Sequence, residues 1–181
     1  SPEGWIPAPD GRPYTFDTGQ VMRGFLACLD RRPELESNVR GAADWILTQI
    51  ARSGEVTTPH LDTWIFPDGS AIPSEIHLNI LPALREAGGR LGEPRYLEAC
   101  DRAVAFYGAR PGLTDFTALS HFHAYILEGL VDLGLVDLAR RGMEQVESHQ
   151  RRDGAVPARP GLRWVCVPAV AQYAVVWYRL G

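Results

Sequence analysis

The feature of this chain that most constrains its fold is an alternation of two kinds of helical segment. Some segments are apolar on nearly every side, as is typical of a helix enclosed by neighbours, and others have one apolar face, as is typical of a helix at the surface. The apolar segments begin near residues 17, 75, 116 and 165, and the amphipathic ones near 34, 94 and 135. Strand patterns are nearly absent. The sequence therefore predicts an all-α fold of about seven helices, inner and outer in turn.

Turn residues repeat with the helices. An Asp-Gly pair stands before three of the inner segments, and a proline follows each pair after a few residues. The pairs begin at Asp10, Asp68 and Asp153, and the prolines are Pro13, Pro73 and Pro157. The sequence therefore also predicts, loosely, one helical hairpin that is repeated three times, over residues 24–50, 83–109 and 129–150. Because such a repeat buries its faces only by stacking, we expect the hairpins to pack side by side.

Size and charge limit the classes of function. A chain of 181 residues with 45% hydrophobic residues suits one domain over 1–181, or part of one. The net charge of −4 gives no basic footprint for nucleic acid. The longest apolar run, 164–178, contains Pro168 and Gln172 and is too short for a bilayer, so we expect no membrane partner. The cysteines read as reduced core residues, and a cytoplasmic location is expected, although a start at Ser1 leaves an upstream segment open.

The first inner helix has an apparent start signal. Asp17 followed by Gln20 is typical of a capping pair, in which the carboxylate accepts amide hydrogens and the amide reaches back. We therefore expect a helix with Asp17 at its N-terminal tip. Pro82 should kink a third helix that runs from residue 74 to 88, and Asp115 should precede a fifth that starts at Phe116. The long loop 54–73 is predicted to form part of a site.

Five short stretches carry a resemblance to a known family. They are FDTGQ at 16–20, GEPRYLEA at 92–99, LSHFHAY at 119–125, WVC at 164–166 and QYA at 172–174. With them, most of residues 14–181 resembles bacterial (α/α)-toroid proteins related to the C-terminal domain of D-glucuronyl C5-epimerase and to toroidal glycoside hydrolases. The resemblance implies an (α/α) barrel whose inner-helix N-termini form a sugar-binding funnel.

A closed toroid of that family has more helices than this chain supplies. We therefore expect an incomplete barrel that either lacks its remainder or closes by forming a homo-oligomer. Its first and last inner helices would then leave apolar side chains open to a partner. Those side chains are expected to include Met22, Phe25, Val170 and Val176.

The candidate site collects polar side chains at the inner-helix N-termini. Glycoside hydrolysis needs one protonated and one ionised carboxyl group, with aromatic rings to hold the sugar. The catalytic candidates are Asp17, Glu75, Asp115, His121 and His123, and the substrate-binding candidates are His77, Trp64, Trp164, Tyr14 and Asp62. Because a helix N-terminus favours an ionised carboxylate, we expect Asp17 to act as base and Glu75 or Asp115 as acid.

Each candidate also has a structural explanation. Asp17 and Glu75 stabilise helix starts whether or not they react, and the two tryptophans also suit a core. His121 and His123 are two positions apart on a helix, so at most one of them faces a cavity. No metal-ligand spacing and no nucleotide motif appears, and we expect no metal and no cofactor.

Three functions remain open. The first is a carbohydrate-active enzyme that hydrolyses a glycosidic bond, the second a uronate epimerase or lyase with a His or Tyr base, and the third a non-catalytic module that binds a glycan or a protein. An anionic sugar would need several inward cations, and only Arg23, Arg85 and Arg163 are near, which disfavours the second.

Overall fold

The computed structural model describes residues 1, 3–7, 9, 11–59 and 71–181, and over these the protein is all-α. The helices are α1 (Thr15–Cys28), α2 (Glu36–Thr48), α3 (Leu81–Leu91), α4 (Pro94–Gly108), α5 (Ser120–Asp132), α6 (Val136–His149) and α7 (Val167–Leu180). Short 3₁₀ helices at Pro33–Leu35 and Ser74–Asn79 precede α2 and α3. Isolated bridges in the same residues include Pro7 with Pro13 and Ile50 with Val56. The predicted fold class is confirmed.

The helices fall into two compact units. Residues Ser1–Arg110, which we call the N-unit, contain α1 to α4, and Pro111–Gly181, the C-unit, contain α5 to α7.

In the N-unit, consecutive helices pack as pairs, α1 with α2 and α3 with α4, and α1 also packs on α3. The centre is filled by fully buried Met22, Leu26, Ile46 and Leu84. Gly19 lets α1 approach Ile80 closely, since a Cβ added at residue 19 would lie 2.5 Å from the Ile80 side chain. That approach brings α1 against the segment that contains the 3₁₀ helix Ser74–Asn79.

In the C-unit, α5 packs on both α6 and α7, and α6 also contacts α7. Leu127, Leu130, Met143 and Val176 are fully buried in its core. Helix α5 fits the prediction of an enclosed inner helix, because most of its apolar positions are buried. Helix α7 does not fit it, because Val167, Val175 and Tyr178 are exposed. Met22 and Val176, both expected to be open, are instead fully buried.

Two helix starts differ from those that the sequence predicted. A 3₁₀ helix occupies residues 74–79, and Pro82 lies in the first turn of α3. Proline lacks the amide hydrogen that a helix interior uses, so it is tolerated in a first turn, and the predicted kink is in fact a helix start. Similarly α5 begins at Ser120, so Phe116 is not helical and Asp115 lies in the preceding turn.

Candidate functional site

Polar side chains of the N-unit gather around the 3₁₀ helix Ser74–Asn79. They come from this short helix, from α1, from the segment after the Ile50–Val56 bridge and from the second residue after α4. The group, which we call the polar cluster, consists of Gln20, Arg23, Thr58, Ser74, Glu75, His77, Asn79 and Arg110. The hydrogen bonds and the ion pair that define the polar cluster all join residues of the N-unit, so the N-unit by itself holds a candidate site.

His77 is the buried centre of the polar cluster, with 1% of its surface exposed. Its Nδ1 lies 2.8 Å from the Ser74 carbonyl oxygen, and its Nε2 lies 2.9 Å from Thr58 Oγ1. Because a carbonyl only accepts, Nδ1 carries the hydrogen and Nε2 accepts one from the Thr58 hydroxyl. Burial lowers the pKa of His77 to about 4. His77 is therefore a neutral imidazole whose two nitrogens are both engaged.

Glu75 is held in an ion pair at the edge of the cluster. Arg110 Nη1 donates to Glu75 Oε1 at 2.5 Å and also to Ser74 Oγ at 3.1 Å. The Glu75 side chain keeps 22% of its surface exposed. The neighbouring Tyr107 hydroxyl accepts a hydrogen bond from the Val56 amide at 3.1 Å, which fixes the segment that leads to Thr58. Glu75 is thus a positioned carboxylate with access to solvent.

Asp17 does not cap α1, as the sequence had suggested. The N-cap position belongs to Tyr14, whose side chain makes no capping hydrogen bond, and Asp17 lies inside the first turn. Asp17 is exposed as a residue, but neighbouring atoms desolvate part of its carboxyl group and raise its pKa. Tyr14, a predicted sugar contact, is buried. Asp17 is therefore an accessible carboxyl group that is easier to protonate than a free aspartate.

Gln20 does not close a capping box either, because its side chain points to the 3₁₀ helix. Its Nε2 donates to Asn79 Oδ1 at 2.6 Å, and Arg23 donates through Nη2 to the Asn79 carbonyl oxygen. Asn79 is 1% exposed and belongs to the same 3₁₀ helix as Glu75 and His77. Residues 17, 20 and 23 follow one another at roughly one-turn spacing, so α1 offers a carboxyl, an amide and a guanidinium side by side.

The C-unit has its own buried histidine. His123 Nε2 lies 3.0 Å from the Thr114 carbonyl oxygen, and Nδ1 lies 3.0 Å from the Tyr173 hydroxyl. Here Nε2 carries the hydrogen and Nδ1 accepts, the reverse of His77. The Phe116 ring lies 5.2 Å from the imidazole, centroid to centroid. Burial lowers the pKa of His123 to about 4 and raises that of Tyr173. His123 is a packed core histidine.

The other candidates of the C-unit are more accessible. Asp115 is exposed, His121 is half-buried with its ring 4.5 Å from that of Tyr125, and Trp164 is 55% exposed. The two histidines differ in burial, since His123 is buried and His121 is half-buried. Three buried polar atoms in the C-unit have no hydrogen-bond partner, namely Ser120 Oγ, His121 Nδ1 and Gln172 Oε1.

The predicted site residues are thus divided between the units. Asp17, Glu75, His77 and Tyr14 belong to the N-unit, and Asp115, His121, His123 and Trp164 belong to the C-unit. Asp62 and Trp64, with most of the predicted loop 54–73, lie outside the described residues. Within the N-unit, the contacts of α1 and of Arg110 place Glu75 and His77 in one cluster with side chains that the sequence did not single out.

Those additional side chains are Thr58, Asn79 and Arg110. Nothing in the local sequence marks any of them, because each acts through a partner that is distant along the chain. The separation is 19 residues between Thr58 and His77, 59 between Asn79 and Gln20, and 35 between Arg110 and Glu75. The sequence clue was the position of these polar residues at the expected N-terminal end of an inner helix, where Ser74, Glu75, His77 and Asn79 surround Ile76 and Leu78.

Comparison with known proteins gives no family. No protein-family model matches the chain, and no curated protein is significantly similar to it. Among the residues that the structure describes, no three His, Cys, Asp or Glu side chains are grouped so that they could hold a metal ion. None of the helices in that part of the chain is both long and apolar enough to cross a bilayer. The function must therefore be argued from the polar cluster and Asp17.

Proposed function

We propose that the protein hydrolyses a glycosidic bond, with Asp17 as the general acid and Glu75 as the ionised carboxylate. The observation that carries the proposal is the difference between the surroundings of these two carboxyl groups. Partial desolvation raises the pKa of Asp17, whereas Glu75 is ion-paired with Arg110 at 2.5 Å. Glycoside hydrolysis uses one carboxyl group that gives a proton and one that stays charged. The roles are the reverse of those that the sequence suggested.

The other groups of the polar cluster suit a carbohydrate. Sugar hydroxyl groups both donate and accept hydrogen bonds, and amide and guanidinium side chains held in one orientation recognise them. The Gln20–Asn79 hydrogen bond fixes the Gln20 amide, and Arg23 is fixed on the Asn79 carbonyl. These two fixed polar side chains support the proposal that the ligand is a carbohydrate.

The epimerase or lyase reading has less support. Such an enzyme needs a base that takes a proton from carbon, and both ring nitrogens of His77 and of His123 are already hydrogen-bonded. Burial raises the pKa of Tyr107 to about 12, which makes its phenolate costly to form at neutral pH.

A non-catalytic glycan-binding module is the second candidate. It is favoured by the engagement of Glu75 with Arg110 and of His77 with Thr58 and Ser74, because such fixed partners suit recognition as well as reaction. Under this alternative the same residues bind the sugar, but no bond is broken.

The test measures both turnover and binding of neutral and uronate-containing oligosaccharides. Asp17→Asn and Glu75→Gln should each lower kcat by at least about 100-fold, as expected for loss of a general acid or of its partner. Asp137→Asn and Glu98→Gln are the matched controls, since Asp137 also lies in a first helical turn and Glu98 is exposed on α4. Both controls should retain full activity.

The outcomes separate the candidates. Loss of turnover in Asp17→Asn with an unchanged melting temperature supports hydrolysis, because Asp17 is not the N-cap residue of α1 and the variant still folds. Binding without turnover in the parent protein rejects hydrolysis and leaves the binding module. Full activity of Asp17→Asn on a substrate that the parent cleaves removes Asp17 from the mechanism.

A further inference from the structure

A groove lies between α6 and α7 in the C-unit, next to the turn that follows α6. Its apolar lining comes from Val146 on α6, from Val156 after the turn, and from Val170 and Ala174 on α7. The groove has a volume of about 140 Å³. An apolar cavity of about 150 Å³ holds a benzene-sized molecule, so this groove has room for one apolar group of that size. We call it the α6–α7 groove.

Two polar side chains line the same groove, Glu147 in the last turn of α6 and Gln150 directly after it. Gln150 Nε2 donates to the Gly154 carbonyl oxygen at 2.8 Å, which holds the amide in place and leaves its oxygen able to accept a hydrogen bond. A carboxylate only accepts hydrogen bonds. The polar side of the groove therefore suits a ligand that donates them.

The charge of Glu147 is not neutralised by the protein. Among the residues that the structure describes, Glu147 forms no ion pair. Arg151, one helical turn further on, is paired instead with Asp153 and donates to the Arg163 carbonyl oxygen. Arg152 is exposed and does not line the groove. The groove consequently presents a carboxylate that has no cationic partner.

An aromatic side chain completes the lining. Trp177 borders the groove from α7 and is 40% exposed. Ala174, three positions earlier on the same side of α7, contributes only a methyl group. The face of an indole ring attracts a cation that lies within about 6 Å of it, more strongly than other aromatic rings do. Trp177 and Glu147 thus favour the same sign of charge in a ligand.

Other classes of ligand match the lining less well. A carboxylate or phosphate would be repelled by Glu147. A neutral apolar molecule would fill the space, but it would displace water from the carboxylate without giving a hydrogen bond in return. An organic ammonium ion has an apolar body for the valines, hydrogen atoms for the carboxylate and a positive charge for the indole.

We propose that the α6–α7 groove is a binding site for a small organic ammonium ion whose apolar part is about the size of a benzene ring. The apolar part lies against Val146, Val170 and Ala174. The ammonium group donates to Glu147 and lies beside the Trp177 indole. This site is separate from the carboxyl chemistry proposed for the N-unit and does not depend on it.

The experiment compares three ligands that share one ring and differ in charge: benzylammonium, benzyl alcohol and benzoate. Binding to the full chain is followed through the indole resonance of Trp177 in protein labelled with nitrogen-15, assigned with Trp177→Phe. We expect benzylammonium to bind at least about 5-fold more tightly than benzyl alcohol, because the ion pair and the cation–π contact each add a small factor. Benzoate should bind more weakly than either.

Variants locate the site. Glu147→Gln should reduce benzylammonium binding to the level of benzyl alcohol and leave benzyl alcohol binding unchanged. Glu144→Gln is the matched control, since Glu144 is exposed on the same helix but does not line the groove, and it should have no effect. Ala174→Leu fills the groove and should abolish the binding of both ligands. Because Ala174 is exposed, this variant should keep its fold, which circular dichroism verifies.

Several results would overturn the proposal. They are no saturable binding of benzylammonium by the parent protein, equal affinity for the three ligands, and benzylammonium binding that Glu147→Gln leaves unchanged. Binding that persists in Ala174→Leu would place the ligand elsewhere on the protein. Tighter binding of a lysine-containing peptide than of benzylammonium would assign the groove to a side chain of a partner protein rather than to a free ion.

Discussion

Each unit buries one histidine among the described residues, and the two histidines have matching partners in contrasting surroundings. In both, one ring nitrogen donates to a backbone carbonyl and the other accepts from a hydroxyl group. For His77 the hydroxyl belongs to Thr58, in a non-helical segment, and the neighbours are polar. For His123 it belongs to Tyr173, in the core of the C-unit, and the neighbour is the Phe116 ring.

The comparison shows that burial and hydrogen bonding determine the pKa of each histidine. The residues around it determine what role the histidine has in the structure. Burial lowers both pKa values to about 4. Yet His77 holds together a cluster with a solvent-accessible carboxylate, and His123 joins α5 to α7. A neutral buried histidine is therefore no sign of catalysis by itself.

The largest expected effect is an acid-linked loss of stability shared by the two histidines. Each has a pKa of about 4 when folded and an ordinary value of 6.5 when unfolded. The unfolded chain therefore binds more protons below pH 6.5, so stability is full above that pH and falls as the pH drops toward 4. Between about pH 7.5 and pH 5 the loss should be about 2 kcal/mol for each histidine.

Urea unfolding of His77→Gln and His123→Gln across this pH range measures each share. If the two histidines have the same pKa shift, either single variant should remove about half of the pH dependence of the unfolding free energy that the histidines cause. The double variant should remove all of it. A single variant whose pH dependence equals that of the parent would break the equivalence of the two sites.

The second effect comes from removing each hydroxyl group. Tyr173→Phe leaves His123 Nδ1 without its donor in a packed helical core, and Thr58→Val leaves His77 Nε2 without its donor in a non-helical segment. A buried unsatisfied polar group costs about 1–3 kcal/mol. Because Thr58 and Tyr173 are both 3% exposed, we expect similar losses from Thr58→Val and Tyr173→Phe in thermal unfolding. A much smaller loss in Thr58→Val would show that its non-helical surroundings supply another donor to His77.

The smallest effect concerns the ion pair between Arg110 and Glu75 in the polar cluster around His77. The Arg110 and Glu75 side chains are 38% and 22% exposed, so solvent screens their attraction. Arg110→Gln should cost about 1 kcal/mol or less. The pH dependence linked to His123 should stay unchanged. A larger loss of stability in chemical denaturation would show that Arg110 supports the whole polar cluster rather than Glu75 alone.

The sequence predicted the helices better than their ends. The alternation of all-round apolar and amphipathic segments is a property of many residues, and the predicted all-α fold is confirmed. Helix starts depend on single residues. Asp17 suits both an N-cap and a first turn, and the packing of α1 against residue 80 accompanies the first-turn position. Pro82 suits both a kink and a helix start, and the 3₁₀ helix before α3 makes it a helix start.

The candidate site was less accessible to sequence reasoning. Glu75 and His77 could be picked out, because they lie at the expected N-terminal end of an inner helix. Their partners could not, since Arg110 and Thr58 reach them only through the tertiary fold. The direction in which the pKa of Asp17 moves also follows from desolvation by its neighbours, which no local sequence pattern encodes.

The opposite tautomers of the two histidines have a spectroscopic consequence. His77 holds its ring hydrogen on Nδ1 and His123 on Nε2, and each hydrogen is bonded to a backbone carbonyl away from solvent. In a protein labelled with nitrogen-15 at histidine, the two imidazoles should therefore give separate, slowly exchanging resonances with inverted δ and ε assignments. Each resonance reports on one unit, so the loss of one before the other during heating would reveal the order in which the N-unit and the C-unit open.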